Sequence, residues 1–394
     1  MRVSRRPVIA VLALFLTSAA AFASDFTFQP TQFPSSRTDA LGGMHAALAD
    51  DLSVLFSNPA GFRAAGPQFS VTEFTTNLNG PIFSLADLGF RVAGGADPLT
   101  LLTEPDVQAL LTSLYTGAAI NGPIALGYIG NGLGFGLFNA TTAQFTTVGT
   151  VPTVSIELRE DLMFIAGYGF RIPLPDNLKS TLDFGFSVKA FTRSSIDWSE
   201  SILSFISALS SPSASTLLGQ PFTLDVGFGV DTGVLYNWDR LLSVGIAVRN
   251  LYSPVARTTY ATVTDFTSGT GGTKSYGFAP LDLSAGILFT PQLGFLQDYL
   301  SAPKFMLDYS DIVDFWTHPD TATNPLLHVG LGVEVLLLDV LALRGGFGDG
   351  YFSAGFGLNL TAFRFDLTMF GRELGLEPGQ RPNYNLVVSL LFRY

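Results

Sequence analysis

From residue 24 onward this chain is rich in apolar residues, yet it never strings together the eighteen or so that a transmembrane helix needs. Charged residues make up 13 % of the sequence, about half the share usual in a soluble domain, and mean hydropathy is +0.36. An apolar excess without an apolar run has to be spread in alternation. In lipid only helices and closed barrels satisfy every backbone group, so the reading that remains is a transmembrane antiparallel β-barrel. The 41 Gly and 35 Phe agree with it, Gly where chains crowd inside and Phe towards lipid.

Counting alternation along the chain gives about fourteen strands, an even number as single-chain bacterial barrels require. The clearest are 182–190, 222–230, 352–360, 363–369 and the final run 383–394. In the last of these Tyr384, Leu386, Val388, Leu390, Phe392 and Tyr394 share one face, with Asn385, Ser389 and Arg393 opposite. Weaker runs lie at 68–75, 122–130, 132–146, 153–171, 241–251, 280–290, 303–311, 326–336 and 339–347. A soluble sandwich would put its charges on the outer face; here Asp, Lys and Arg share a face with Gly and Ser, which marks that face as the lumen. Connection lengths give a second reading. The links at 237–240, 336–339 and 360–362 are short and fall at one parity. The long ones, 76–121, 196–221, 252–279, 312–325 and 372–382, fall at the other, as expected if both barrel ends lie on the periplasmic side.

The first residues read as an export signal, with Arg2, Arg5 and Arg6 before an apolar core at Val8–Ala21 and the small-x-small pattern Ala21-Phe22-Ala23. Removal of residues 1–23 takes three Arg and no acid, shifting the formal charge from −11 to −14. An acidic chain argues against nucleic acid as a partner. The absence of Cys suits a chain that crosses an oxidising periplasm unfolded. A final aromatic strand resembles the signal read by the barrel-insertion machinery of Gram-negative envelopes, so the expected location is the outer membrane.

Two long connections carry apolar segments. Thr103 to Tyr115 predicts a short amphipathic helix with Leu110, Leu111 and Leu114, and a second apolar turn falls near Leu203, Phe205 and Ile206. Both are candidate capture loops for an apolar ligand, or else a lid on the barrel mouth. The segment 266–276 resembles a phosphate loop only in its glycines: Lys274 follows Thr, and no strand feeds it.

The most specific words precede the first strand. Leu41-Gly42-Gly43-Met44-His45-Ala46-Ala47-Leu48-Ala49-Asp50-Asp51-Leu52-Ser53-Val54-Leu55-Phe56-Ser57-Asn58-Pro59-Ala60-Gly61-Phe62 resembles the N-terminal segment of the FadL-type outer-membrane transporters of long-chain fatty acids and other hydrophobic compounds. The resemblance implies a fourteen-stranded barrel with a hatch plugging its lumen. It divides the chain into a signal (1–23), a hatch (24–66) and a barrel (67–394), and assigns Asn58, Pro59, Ala60 and Gly61 to the hatch. Ser57 and the Met44-His45 pair depart from the usual pattern. The same string occurs in barrels that act as secretion scaffolds, so it marks the superfamily better than the substrate.

Catalytic and metal chemistry fail on inventory: there are three His, no two of them close in sequence, and no Cys. His328, read as inward-facing on the 326–336 strand beside Glu334, is expected to be a satisfied lumen residue. No catalytic residue, metal ligand or cofactor is expected, and the chain reads as a non-enzyme. The inward positions carry Arg159, Lys189, Arg249, Arg344, Arg364 and Arg393 with Glu157, Asp183, Asp225, Asp231, Asp308, Glu334 and Asp366, most of them expected to pair. Large apolar residues also face inward: Phe138, Met163, Ile165, Phe191, Leu235 and Phe370. An open porin has no use for them, whereas a path for a hydrophobic ligand does, with one unpaired arginine to meet a carboxylate head group. Arg249 and Arg364 are the candidates for it, with Phe138, Phe191 and Phe370 as apolar contacts. The expected function is therefore passive, monomeric transport of long-chain fatty acids or other hydrophobic small molecules, with sideways release through a poorly pairing strand such as Gly132–Gly136. A scaffolding barrel that holds a protein partner and a general porin are the alternatives.

Overall fold

The computed structural model describes residues 25–393 apart from 32, 34, 102, 113, 149–152, 202–203, 205–213, 293, 295–299, 318, 320–321 and 361–362. In chain order its strands are β1 (Phe26–Thr27), β2 (Gln68–Asn79), β3 (Tyr115–Gly130), β4 (Leu133–Val148), β5 (Thr153–Ile172), β6 (Ser180–Ser201), β7 (Phe222–Trp238) and β8 (Leu242–Tyr252). There follow β9 (Pro254–Tyr260), β10 (Thr273–Phe278), β11 (Asp282–Phe289), β12 (Leu300–Tyr309), β13 (Val329–Leu337), β14 (Leu341–Gly348), β15 (Tyr351–Asn359), β16 (Phe363–Glu373) and β17 (Pro382–Arg393). Fourteen of them, β2–β8 and β11–β17, pair antiparallel in a ring, with β8 on β11 and β17 on β2. The sheet closes on itself and leaves no free edge in lipid.

The alternation in the sequence is the alternation of the wall. On β6, Phe186 and Val188 are exposed outside while Asp183 and Ser187 are buried inside. On β17, Tyr384, Val388, Leu390 and Phe392 lie outside, with Asn385 and Ser389 buried opposite. Apolar out and polar in inverts the soluble rule and matches lipid as the outer solvent.

At the end of the barrel that holds Gln68 and Arg393 the links Gly130–Leu133, Trp238–Leu242 and Leu337–Leu341 are short turns, while β11 and β12 are joined there over 290–299. The widest links lie at the other end, as the parity predicts. The segment 252–279 departs from expectation. It is not a loop: β9 and β10 continue β8 and β11 upward, pairing with each other and β9 with β7. Helix Val263–Ser268 caps the tip. A bulge interrupts β8 and β9 where Asn250 takes positive φ (52°), and its amide donates to Asp231 Oδ1 at 2.7 Å. Alternation breaks at such a bulge, so the run was read as ended at 251. The 76–121 link holds the predicted helix, observed as Pro105–Thr112, and also a twelve-residue helix, Ile82–Ala93, that the strand periodicity did not bring out. The signal at 1–23 and the capture residues Leu203, Phe205 and Ile206 lie outside the described residues.

Candidate functional site

Residues 25–66 run inside the barrel and touch its inner face all the way round. At one side β1 adds in parallel to β10, and the next residue, Phe28, stacks on Phe191 with ring centroids 5.1 Å apart. Arg193 covers the Phe28 ring at 4.5 Å and donates to Asp161 Oδ1 at 2.6 Å. At the other side the short helix Ser36–Ala40 lies against β14–β16. Gly42 follows it with φ of 80°, and a Cβ there would overlap the Phe347 carbonyl, so only glycine fits. Further along, Asn58 Nδ2 donates to the Ala46 carbonyl at 2.7 Å and to the Val234 carbonyl at 3.2 Å, and its Oδ1 accepts from Ala60 N at 3.0 Å. Pro59, Ala60 and Gly61 then turn the chain into helix Gly61–Ala64, whose Phe62 is fully buried against β4 and β5.

The centre of this segment is Arg37. It donates to Glu334 at 2.8 and 2.6 Å, to Asp50 at 2.7 and 3.0 Å and to Asp51 at 2.6 Å. Lys304 reaches Asp50 and Glu334, Arg344 bridges Glu334 and Asp366, and Arg364 pairs with Asp366 at 2.6 Å. Four cations thus meet four carboxylates. Burial pushes the Asp50 carboxyl up, but Arg37 and Lys304 outweigh it and hold it below the usual carboxylate range. Asp51 shows the same sign, burial opposed chiefly by Arg37. A second tie joins His45 Nδ1 to Asp308 Oδ2 at 2.5 Å, with His45 Nε2 2.9 Å from the Leu41 carbonyl. Asp308 Oδ1 also accepts from Ala46 N at 2.7 Å. The segment is fastened by buried charge on one side and apolar packing on the other.

Between this segment and the wall at β2–β4, β16 and β17 lies a cavity of about 80 Å³. Its apolar part is a trio of rings: Phe33 stacks on Phe56 at 5.4 Å, and Phe138 meets Phe56 edge-on at 4.9 Å. Leu52, Ile124, Ala125 and Leu391 complete it, and Glu73, Asp51, Asp366 and Arg364 line the polar side.

The wall beside this cavity is irregular. β2 pairs with β3 over Gln68–Ser70 and again over Thr75–Asn79, with no ladder between. The β3–β4 register shifts at the same place, between Asn121 and Ala125. Gly122 holds φ of 99°, and a Cβ there would overlap the Glu73 carbonyl; Pro123 has no N–H to give. Outside the wall, side chains replace the lost ladder. Asn139 Oδ1 accepts from Ile124 N at 3.0 Å, and its Nδ2 donates to Glu160 Oε1 at 2.9 Å. Thr141 also donates to Glu160, and Thr72 Oγ1 donates to the Pro123 carbonyl at 2.5 Å. The proline inside an apolar run was the signal that marks this bulge in the sequence. Within Gly132–Gly136, the stretch expected to pair poorly, residues 133–136 are laddered on both sides, to β3 and to β5. The weak place is Asn121–Ala125.

The predicted lumen residues divide. Phe138 and Arg364 line the cavity; Phe191 supports Phe28; Phe370 is buried beneath the Arg372 guanidinium, 5.6 Å away. Neither arginine read as unpaired is so: Arg364 is held by Asp366 and Arg249 by Asp282. The acids needed lie on the same or the adjacent strand, a pairing that inward parity alone does not assign. His328 is not on a strand beside Glu334. It ends the 3-10 turn Pro325–His328 and sits 2.8 Å from Thr323 Oγ1 and 3.4 Å from Asp314. Of the capture residues, Leu110 and Leu114 are half-buried, and nothing is described of the Leu111 side chain. Arg37 was missed altogether. Its signal was present, since a basic residue shortly before an Asp-Asp pair in a chain bound for a lumen needs acids, and supplies a cation, at close range.

Fold and cavity together define a class: an apolar-faced barrel whose lumen is occupied by its own N-terminal segment, with a side cavity beside a break in the wall. No protein-family model matches the chain, and no curated protein does. Among solved structures it is similar to the Pseudomonas putida toluene transporter TodX, at 12 % identity and a TM-score of 0.46, over 94 % of this chain and 99 % of that one. It is also similar to the CymD monoaromatic hydrocarbon channel, at 13 % identity and 0.44, over 90 % and 96 %. A Pseudomonas aeruginosa FadL homologue matches at 12 % identity and 0.43, over 94 % and 99 %.

Proposed function

We propose that the protein is a passive outer-membrane channel for small hydrophobic molecules, with residues 25–66 acting as a hatch. The observation that carries this reading is the aromatic cavity between hatch and wall, placed beside the only stretch of the β2–β3 ladder that lapses. A molecule resting on Phe33, Phe56 and Phe138 has a short path sideways through the Asn121–Ala125 bulge into lipid. Such a path avoids the charged hatch contacts, whose separation would leave buried carboxylates unpaired. No energy source is required, because transfer from a dilute aqueous phase to a membrane is downhill for an apolar solute. Capture falls to the wide-loop end, where Phe90 on helix Ile82–Ala93 is 77 % exposed and Trp316 is 72 % exposed. The partners implied are outer-membrane lipid, the insertion machinery during biogenesis, and the solute.

The same exposed Phe90 and Trp316 favour a second reading, a scaffold whose loops grip a protein partner. Uptake separates the two. Ala125, 3 % exposed, lines the cavity at the bulge, so Ala125→Trp fills the route without touching the loops. In intact cells lacking other channels for apolar solutes, uptake of labelled dodecan-1-ol should rise with the wild-type protein and fall back at least about tenfold with Ala125→Trp, about 1.4 kcal/mol or more. Uptake unchanged by the presence of the protein rules the channel out and leaves the scaffold.

A further inference from the structure

We infer that the solute this cavity accepts is uncharged, and that a carboxylate of the same length is rejected; the inference rests on the channel reading above. Among the described residues lining the cavity Arg364 is the one cation, and it is bound to Asp366 at 2.6 Å and lies 3.8 Å from Asp51. The surrounding network is already neutral, since Arg37, Lys304, Arg344 and Arg364 balance Asp50, Asp51, Glu334 and Asp366. Glu73 is a fifth carboxyl, on the cavity wall at the β2 bulge. Two hydroxyls donate to it, Thr75 Oγ1 at 2.6 Å and Ser389 Oγ at 3.4 Å.

An entering carboxylate therefore meets no free base and one carboxyl more than the bases present, in a confined site where charge is weakly screened. The ring faces of Phe33, Phe56 and Phe138 add the negative side of their quadrupoles. The exit repeats the sign: on the outer rim of the bulge, Glu160 is exposed with Asn139 and Thr141 donating to it, and among the described residues no cation pairs with it. Apolar bodies find rings and aliphatic walls along this route; an anionic head finds acids at both ends. A hydroxyl head, by contrast, can donate to Glu73.

Dodecan-1-ol and dodecanoate differ only in the head and test the point directly. Their labelled forms are supplied to intact cells with and without the protein, at a pH well above the titration of the free acid. The protein should accelerate the alcohol at least about tenfold more than the carboxylate. Glu73→Gln should narrow that ratio and Glu73→Lys should reverse it, with barrel folding verified by heat-modifiable electrophoretic mobility. Where either variant fails to fold, the wild-type ratio decides. Equal acceleration of both solutes, or preference for dodecanoate, overturns the inference and leaves the channel standing. Acceleration of neither removes the channel reading, and the inference with it.

Discussion

Asp39 shows how a single buried group sets the conditions under which the hatch is tight. Its Oδ2 is buried without a hydrogen-bond donor, and burial pushes its pKa up to about 7, with Arg372 opposing and Asp349 assisting. Those two face it as an ion pair, 3.1 Å apart. A carboxyl raised in the folded state contributes stability that is complete below its unfolded value, about 4, and is lost as pH rises through the folded value, about 7. Asp50 and Asp51 act in the opposite sense, because their lowered pKa values give stability present above about pH 4 and lost below it. The windows do not overlap. Amide exchange across residues 36–42 should therefore quicken as pH rises from about 5 to 8 after correction for intrinsic exchange, and Asp39→Asn should flatten that rise. A profile for Asp39→Asn identical to wild type would sink the assignment. Arg37 carries more. Arg37→Ala leaves Asp50, Asp51 and Glu334 short of their main partner and should cost the hatch about 3–5 kcal/mol. The readout is protease cleavage within residues 25–66 while the barrel still migrates as folded.

What could be read from the chain was what repeats with a period of two. The fourteen barrel strands and their order follow from alternation and link parity, because each strand reports its two faces locally. Bulges do not, since they are relations between strands. Pro123 could have marked the break in β3, which was expected instead at Gly132–Gly136, and only the partner registers show that Ser70 and Thr75 of β2 flank an unladdered stretch. The same limit hid the arginine partners: parity puts Arg364 and Asp366 on one face of β16 without saying that they pair, and Arg37 with Glu334 spans almost the whole chain. Asn58 was legible through its motif, and its partners, carbonyls on β7 and β8, were not.

The bulge itself makes a prediction. Asn139 supplies the acceptor that the Ile124 amide lost from its ladder, facing lipid where water cannot. Asn139→Leu keeps the branched shape and removes the acceptor, leaving an unpaired N–H that costs several kcal/mol in hydrocarbon. β3 should then shift register to recover its bonds and close the gap. Dodecan-1-ol uptake should fall while heat-modifiable mobility is kept. Retained uptake would mean the bulge is an ornament of the wall and no part of the path.

At the scale of the whole molecule, the proposed channel has two ways to pass a solute: the N-terminal segment moves, or it stays and the wall opens sideways. The contact pattern separates them energetically. The hatch is tied by Arg37 to β13, by His45 to β12, by Asn58 to β7 and by Phe28 to β6, so that withdrawal breaks several buried ties on opposite sides at once. Each buried pair broken on one side costs about 3–5 kcal/mol, and slack in one strand does not relieve the others. The lateral route leaves those ties in place and uses the stretch of wall at Asn121–Ala125 where the β2–β3 and β3–β4 ladders already lapse. A chain without native cysteine allows a clean test. Ser36 Oγ and Thr368 Oγ1 lie 2.9 Å apart between hatch and β16, close enough for Ser36→Cys with Thr368→Cys to form a disulfide. Ser36 also lines the polar side of the cavity, so the reduced double variant is the reference; with the bond closed its dodecan-1-ol uptake should match that reduced form, because the Phe33, Phe56 and Phe138 rings and the bulge are untouched. If oxidation stops uptake and reduction restores it, the hatch must move, and the break at β2–β3 serves the barrel in some way other than as its door.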